Sequence, residues 1–348
     1  VEHDLNDNTV LRNTSRFGQS DQDYLLTGVN AITTTTGSGA AAVAIADPND
    51  WTISRSRQGK DQRNRILTNQ TQLNTSVQTG AIRHDISSGL EFIYESQRNF
   101  TLALPTGTTQ GAANLYNPST SDTFVDPVRT GASTEGSTMT SALYVLDTLY
   151  LNEQWQLNLS GRFEHYSTET DLVTVQGTST PQTIPIGTLL GSTLKASDNL
   201  ASYKVGALYK PASNGSLYLS YATTQLPPGG ANFALSATAN NINNANVDPQ
   251  KGSNLELGTK WDLLDNKLAV TAAVFESTNE NEIATDPTGA ATQVGERQVR
   301  GVELGLVGAI TSAWQISAGA AYLDSEITRG NQSGTNPTDG GVRSAEHT

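Results

Sequence analysis

The segment 155–164 alternates strictly between apolar and polar residues. The apolar positions are Trp155, Leu157, Leu159, Gly161 and Phe163, and the polar ones are Gln156, Asn158, Ser160, Arg162 and Glu164. Successive side chains of a β-strand point to opposite sides, so this segment predicts a strand with one apolar and one polar face. The pattern recurs along the chain between connections that are alternately short and long. This combination is typical of a barrel with lipid outside and water inside.

The composition favours the same architecture. Hydrophobic residues make up 36% and charged residues 16% of the chain, against about 45–50% and about 25% in typical soluble domains. Thr, Ser, Asn, Gln and Gly fill the remainder, and they suit a hydrated lumen and long exposed loops. No apolar stretch approaches the ~20 residues of a transmembrane helix. We therefore expect any membrane crossing to use strands closed into a barrel.

Several classes of function find no support in the sequence. The formal net charge of −13 argues against nucleic acid as a partner. The absence of cysteine excludes a disulfide framework, a thiolate metal site and a thiol nucleophile. No nucleophile elbow or phosphate-binding loop is visible, and the histidines match no metal-ligand spacing; they are His3, His84, His165 and His347. We expect neither an enzyme nor a bound metal or cofactor.

About twelve strand-like segments can be counted along the chain. They are separated by four long connections at 28–59, 100–135, 170–198 and 226–251. In bacterial outer-membrane barrels the short turns face the periplasm and the long loops face the outside. Aromatic residues flank the short turns and predict a periplasmic girdle: Tyr150, Trp155, Tyr209, Tyr218, Trp261 and Trp314. The predicted fold is an all-β, antiparallel transmembrane β-barrel.

Four segments resemble the barrel of TonB-dependent receptors, especially the siderophore receptors. Residues 247–277 read VDPQKGSNLELGTKWDLLDNKLAVTAAVFES and are similar to two strands of that barrel and the tight turn between them. Residues 294–308, VGERQVRGVELGLVG, resemble the next strand, and residues 216–228, SLYLSYATTQLPP, resemble an earlier one. Residues 17–27, FGQSDQDYLLT, are similar to an upstream strand of the catecholate-type subgroup.

This resemblance implies a 22-stranded barrel, an N-terminal plug and a TonB box. We match no segment to the plug or the box, so residues 1–348 are expected to be a partial barrel domain that lacks the plug and the last strands. The family implies a bacterial outer-membrane receptor for a ferric siderophore of catecholate type, with iron present only as part of that substrate. The implied partners are the siderophore, the TonB complex acting through the plug, outer-membrane lipid and lipopolysaccharide.

Two other functions remain open at the level of sequence. The first is a passive porin-type channel that works without TonB. The second is a β-rich surface or adhesive protein that lies outside the membrane. A β-solenoid would need a fixed short repeat, and none is visible.

Basic and aromatic side chains are the candidate ligand-binding residues. A basic cluster lies within eleven residues and consists of Arg55, Arg57, Lys60, Arg63 and Arg65. These side chains either contact lipopolysaccharide phosphates and solvent, or face the vestibule and pair with an anionic ferric catecholate. The same two roles are open for Arg129, Arg297 and Arg300. Three loop aromatics, Trp51, Tyr116 and Phe233, are candidate ligand platforms, with loop packing as the alternative.

One asparagine-rich run requires a separate reading. Residues 240–246 contain five asparagines and no carboxylate. A calcium site needs clustered carboxylates. We therefore expect a flexible polar tract here.

Overall fold

The computed structural model describes residues 1–108, 110–230, 232–285, 291–311, 313–330 and 343–344. The strands in chain order are β1 Glu2–Asn6, β2 Thr9–Thr33, β3 Thr35–Thr36, β4 Val43–Ala44, β5 Thr52–Thr79, β6 Ile82–Ala103, β7 Ala113–Asn114, β8 Val128–Tyr150, β9 Trp155–Val175, β10 Leu189–Ala212, β11 Gly215–Leu226, β12 Gln250–Leu263, β13 Leu268–Thr285, β14 Ala291–Thr311, β15 Trp314–Arg329 and β16 Arg343–Ser344. Two short 3₁₀ helices span Gly39–Ala41 and Pro48–Asp50. Within the described residues no helix has the length and apolar character to span a membrane. His347 lies outside the described residues.

Fourteen strands form one antiparallel sheet in which neighbours in sequence are neighbours in space. The path runs β1-β2-β5-β6-β8-β9-β10-β11-β12-β13-β14-β15-β16. The fourteenth strand, β7, pairs with the N-terminal end of β5, and β3 pairs with β4 in a separate hairpin. In the described ranges the path is open, with β1 and β16 at its two ends. The predicted all-β antiparallel architecture is confirmed, with twelve strands of five residues or more.

The connections alternate between short and long as predicted. Two to four residues join β1 to β2, β5 to β6, β8 to β9, β10 to β11 and β12 to β13. The predicted long loops are shorter than expected because the strands continue into them; β5, for example, has 28 residues. A membrane crossing needs only about 9–11 residues. The longest strands, β2 and β5, are therefore more than twice as long as a membrane crossing requires, whereas β11, with 12 residues, is close to that length.

The register divides the sheet into two faces of opposite character. Leu90, Leu143 and Phe163 are direct neighbours on adjacent strands and are 49%, 56% and 55% exposed. We call their side of the sheet the apolar face. One position further along, Glu91, Ala142 and Glu164 are direct neighbours on the three strands, and their side chains lie on the opposite side of the sheet. We call this side the polar face. The alternation predicted from 155–164 is thus shared by neighbouring strands in register.

The one cluster of buried hydrophobic residues found in the described ranges lies on the polar face. It consists of Tyr166, Ala196, Leu200 and Leu235. The first three belong to β9 and β10, whereas Leu235 belongs to the long loop between β11 and β12. That loop therefore folds back onto the sheet. Within the described ranges, most of the sheet has no second layer.

Candidate functional site

The basic cluster of β5 is divided between the two faces. Arg55, Arg57, Arg63 and Arg65 occupy alternate positions of one strand, and the same alternation continues to Leu67 on the apolar face. The pairing of β5 with β6 shows no register shift from Asp61 to Thr79. The four arginines therefore lie on the side of Leu67, and only Lys60 lies on the polar face.

Arg63 and Arg65 form exposed pairs with side chains of β2. The Nε of Arg63 donates to Oδ1 of Asp21 at 2.6 Å, and Nε of Arg65 donates to Oε1 of Gln19 at 3.1 Å. Asp21 lies beyond the first twelve residues of its strand, outside the length that crosses a bilayer. The hydrogen bond from Arg63 lowers the pKa of Asp21, so this pair stays ionised at neutral pH.

Arg55 and Arg57 hold the loop between β6 and β8. Arg55 forms an ion pair of 2.7 Å with Asp122 and also donates to the carbonyl of Gly111. Arg57 forms an ion pair of 2.6 Å with Asp126. Both guanidinium groups lie over the ring of Phe124, at 4.8 and 5.3 Å from its centroid. Their side chains are only 10% and 16% exposed, so both arginines are engaged in contacts with this loop and present little surface to a ligand.

The three remaining arginines of the predicted set do not lie together. Arg129 pairs with Asp61 at 2.5 Å and lies over the ring of Phe100 on the apolar side. Arg300 pairs with Glu276 at 2.8 Å, also on the apolar face, where it shares the alternation of Val302. Arg297 is three positions earlier in the same strand and lies on the polar face.

Arg297 belongs to a groove on the polar face. Its ion pair with Glu282 is 3.3 Å long, and its side chain remains 55% exposed. The groove has a volume of about 320 Å³ and is also lined by Asn254, Ser277 and Asn279. A cation beside amide and hydroxyl groups can bind an anionic, oxygen-rich ligand.

The predicted aromatics have different environments. The indole of Trp51 is half-buried and donates to the carbonyl of Ile45 at 3.2 Å. Phe233 is half-buried, and its carbonyl is bound by Thr170. Tyr116 is 62% exposed. Of the three rings, Tyr116 is therefore the most accessible to a ligand.

Sequence reasoning did not single out the ion cluster at the centre of the polar face. Arg162 donates from Nη1 to Glu91 at 2.7 Å and from Nε to Glu164 at 2.6 Å. Beside it the amide of Gln70 donates to the hydroxyl of Tyr144 at 2.8 Å. Gln70, Glu91, Tyr144 and Arg162 line a groove of about 380 Å³. The sequence does indicate part of this cluster, because Arg162 and Glu164 both occupy polar positions of the alternating segment 155–164.

A second polar groove adjoins the first. Tyr218, predicted for the periplasmic girdle, lies on the polar face instead, and so does Tyr150, which pairs with Gln156. The hydroxyl of Tyr218 donates to Glu256 at 2.6 Å, and Nζ of Lys260 lies 5.6 Å from the centre of the tyrosine ring. Lys204 is another cation in its lining, and the groove volume is about 550 Å³. The polar face therefore presents carboxylates, cations and hydroxyls in a continuous band that can receive a polar partner.

Comparison with known proteins places the chain in a family. The sequence model described as TonB dependent receptor-like, beta-barrel, matches residues 1–348. The chain is 40% identical to the catecholate siderophore receptor Fiu of Escherichia coli K12, over 94% of this chain and 43% of that protein. It is 30% identical to a probable TonB-dependent siderophore receptor, PiuA of Acinetobacter baumannii, over 96% of this chain and 44% of that protein.

Solved structures agree with the sequence matches. A crystal structure of the ferric-catecholate import receptor Fiu from E. coli K12, in a closed form, superposes with a TM-score of 0.84 at 38% identity and covers 94% of this chain and 46% of that one. The siderophore receptor PiuA from A. baumannii gives a TM-score of 0.75 at 26% identity, over 98% of this chain and 48% of that one. The chain spans less than half the length of the curated relatives it matches. The chain belongs to the family of TonB-dependent receptors and corresponds to part of their β-barrel.

Proposed function

We propose that this chain forms part of the wall of a bacterial outer-membrane receptor that imports a ferric siderophore of catecholate type, energised through TonB. The observation that carries this proposal is the 40% identity to a catecholate siderophore receptor over 94% of the chain. The TonB complex would act through a plug that fills the lumen. The arrangement of the two faces supports the proposal, because a receptor barrel needs lipid on one side and a polar path on the other.

The apolar face would contact acyl chains, and the polar face would line the lumen. Trp155 and Tyr209 stack with ring centroids 4.6 Å apart beside two short turns, where a periplasmic girdle would lie. The long loops and the outer ends of the strands would then project from the cell. On this orientation Arg63, Arg65, Arg129 and Arg300 face outward, where they would contact outer-leaflet lipopolysaccharide.

Ligand capture would use cations on the inner side. Lys60 and Arg297 are the members of the predicted basic set that lie on the polar face, and Tyr116 supplies an exposed aromatic ring in a long loop. A ferric catecholate is anionic and planar at its ligand groups, so it would pair with a guanidinium and stack on a ring. Arg55, Arg57 and Trp51 would act indirectly by holding loops in place.

The test is uptake of a ferric catecholate by cells that depend on the receptor containing this chain. Uptake should require TonB, and Arg297→Gln should weaken it several-fold. Arg300→Gln is the matched control, because it also breaks an ion pair with a glutamate but lies on the opposite face. Uptake without TonB would indicate a passive channel. Equal uptake by the two variants would show that Arg297 does not contact the ligand.

A further inference from the structure

The long loop between β11 and β12 is packed against the polar face of the sheet. We call residues 227–249 the strap; residue 231 lies outside the described residues. Leu235 in the strap is 3% exposed and packs against Tyr166 and Leu200 of the sheet. Tyr166 shares the alternation of Arg162 and Glu164, so the strap covers the side that would line the lumen.

One buried hydroxyl bonds two backbone groups of the strap. Thr170 has no solvent exposure. Its Oγ1 donates to the carbonyl of Phe233 at 2.7 Å and accepts from the N–H of Leu235 at 2.9 Å. Replacing this hydroxyl by a methyl group would leave both backbone groups without a partner, which is the costly case for a buried hydrogen bond.

A glycine in β8 allows the strap to approach. A Cβ at Gly136 would overlap the carbonyl group of Phe233. Phe233 itself has a φ of 58°, a left-handed conformation that is unusual for a bulky residue. Phe233 is thus the residue that approaches Gly136, that has the left-handed conformation and whose carbonyl accepts from Thr170. This point therefore fixes the strap against the sheet.

The strap also has internal structure. Asn243 accepts from the N–H of Gly229 at 3.0 Å, and the amide of Asn244 donates to the carbonyl of Thr238 at 3.0 Å. Asn241 and Asn244 form Asx turns with the residues two positions later. The expected polar tract 240–246 is thus folded into turns. The strap as a whole carries a single charge, that of Asp248.

We propose that Thr170 positions the strap as a fixed inner wall of the vestibule, and that the strap selects ligands by size. The buried anchor and the internal hydrogen bonds describe a rigid element, not a lid that moves with each ligand. Because the strap has one charge, it discriminates by width and not by electrostatic attraction. The selecting role rests on the proposed function, since it needs a ligand that passes along the polar face.

The positioning role is tested with a spin label on the strap. Ala237 is exposed, and the chain contains no cysteine, so Ala237→Cys supplies one labelling site within it. Any cysteine elsewhere in the receptor is first replaced by serine. We expect a hindered nitroxide spectrum in the parent and in Thr170→Ser, which keeps the hydroxyl. Thr170→Val should raise the mobile fraction about tenfold, the factor expected for the loss of one to two hydrogen bonds.

A second variant, a control label and a ligand addition test this positioning role further. Gly136→Ala should release the strap as Thr170→Val does, and a label at Ser179→Cys, in a different loop, should be unaffected by either change. Adding a ferric catecholate should leave the spectrum of the parent unchanged. A hindered strap in Thr170→Val, or a strap that becomes mobile when ligand binds to the parent, would overturn the proposal.

The selecting role is tested by uptake of a small and a large ferric catecholate. Thr170→Val should raise the uptake of the large complex relative to the small one, whereas Thr170→Ser should keep the parent ratio. An unchanged ratio with a mobile strap would refute size selection. If no ferric catecholate is taken up by the parent, the proposed function fails and size selection fails with it, while the spin-label spectra still decide whether Thr170 positions the strap.

Discussion

Arg162 on β9 binds Glu91 on β6 across the intervening strand β8, with 2.7 Å between Nη1 and Oε2. The ladder position between the two acidic residues is Ala142, which is small and 7% exposed. The guanidinium passes over this alanine and also binds Glu164 at 2.6 Å. One arginine therefore links β9 to β6 over the intervening strand β8 on the polar face.

Removing Arg162 should destabilise the barrel more than removing an exposed arginine. Arg162→Ala leaves Glu91 and Glu164 close together, both half-buried and without their cation. We expect a loss of about 2 kcal/mol, the size of hydrogen bonds to charged groups. Arg98→Ala is the control, since its pair with Glu135 is 3.5 Å long and about half exposed, and such pairs contribute less than about 1 kcal/mol.

The receptor containing this chain is unfolded with urea in lipid vesicles. The folded fraction at each urea concentration is measured from its heat-modifiable migration on gels, which gives the unfolding midpoint. A larger shift of the midpoint for Arg162→Ala than for Arg98→Ala is the expected outcome. Equal shifts would mean that the link between β9 and β6 contributes no more than a surface pair.

The loop between β6 and β8 should depend on Arg57. Arg57→Ala removes the ion pair with Asp126 and the contact with the Phe124 ring. We expect faster proteolysis within 104–127 and little change in the unfolding midpoint, because the strands below keep their pairing. Arg12→Ala is the matched control, since its pair with Glu2 is exposed and 3.6 Å long. If cleavage in the loop is as slow as in the parent, Arg57 does not hold it.

His84 and Asp147 form an ionisable pair on the apolar face. Nδ1 of His84 lies 2.7 Å from Oδ2 of Asp147, and the other carboxylate oxygen is buried without a hydrogen-bond partner in the described part of the chain. His84→Ala should destabilise the barrel, because it leaves a carboxylate unpaired among apolar side chains.

The double variant His84→Ala with Asp147→Leu should recover most of that loss, because it removes the partly buried carboxylate together with its partner. The comparison is made in the same unfolding assay. A double variant that is less stable than His84→Ala alone would show that Asp147 contributes through a contact other than the histidine.

The two faces of the sheet could be predicted because strand alternation is a local property. Trp155 and Phe163 define the apolar phase without any knowledge of their neighbours, and the register then brings Phe163 beside Leu143. The same local rule also contained the position of the basic cluster. Arg63 and Arg65 share the parity of Leu67, so strand alternation alone indicates the apolar side for them, whereas their clustering within eleven residues does not indicate a side.

The position of the strap could not be predicted. Leu235 and Thr170 are 65 residues apart, and their contact depends on the tertiary arrangement of β9 and the loop. Nothing local in 240–246 distinguishes a free polar tract from a set of Asx turns, since asparagine favours both. The loop contacts of Arg55 and Arg57 likewise require partners more than 50 residues away.

The most direct test of the account compares two adjacent positions of β8. Leu143→Cys and Tyr144→Cys are labelled separately with a nitroxide in the receptor containing this chain, reconstituted in vesicles. The label at position 143 should collide with oxygen dissolved in the lipid, and the label at 144 with a water-soluble nickel complex. The reverse accessibilities, or two labels shielded from both reagents, would contradict a barrel wall with acyl chains on its apolar face and water on its polar face.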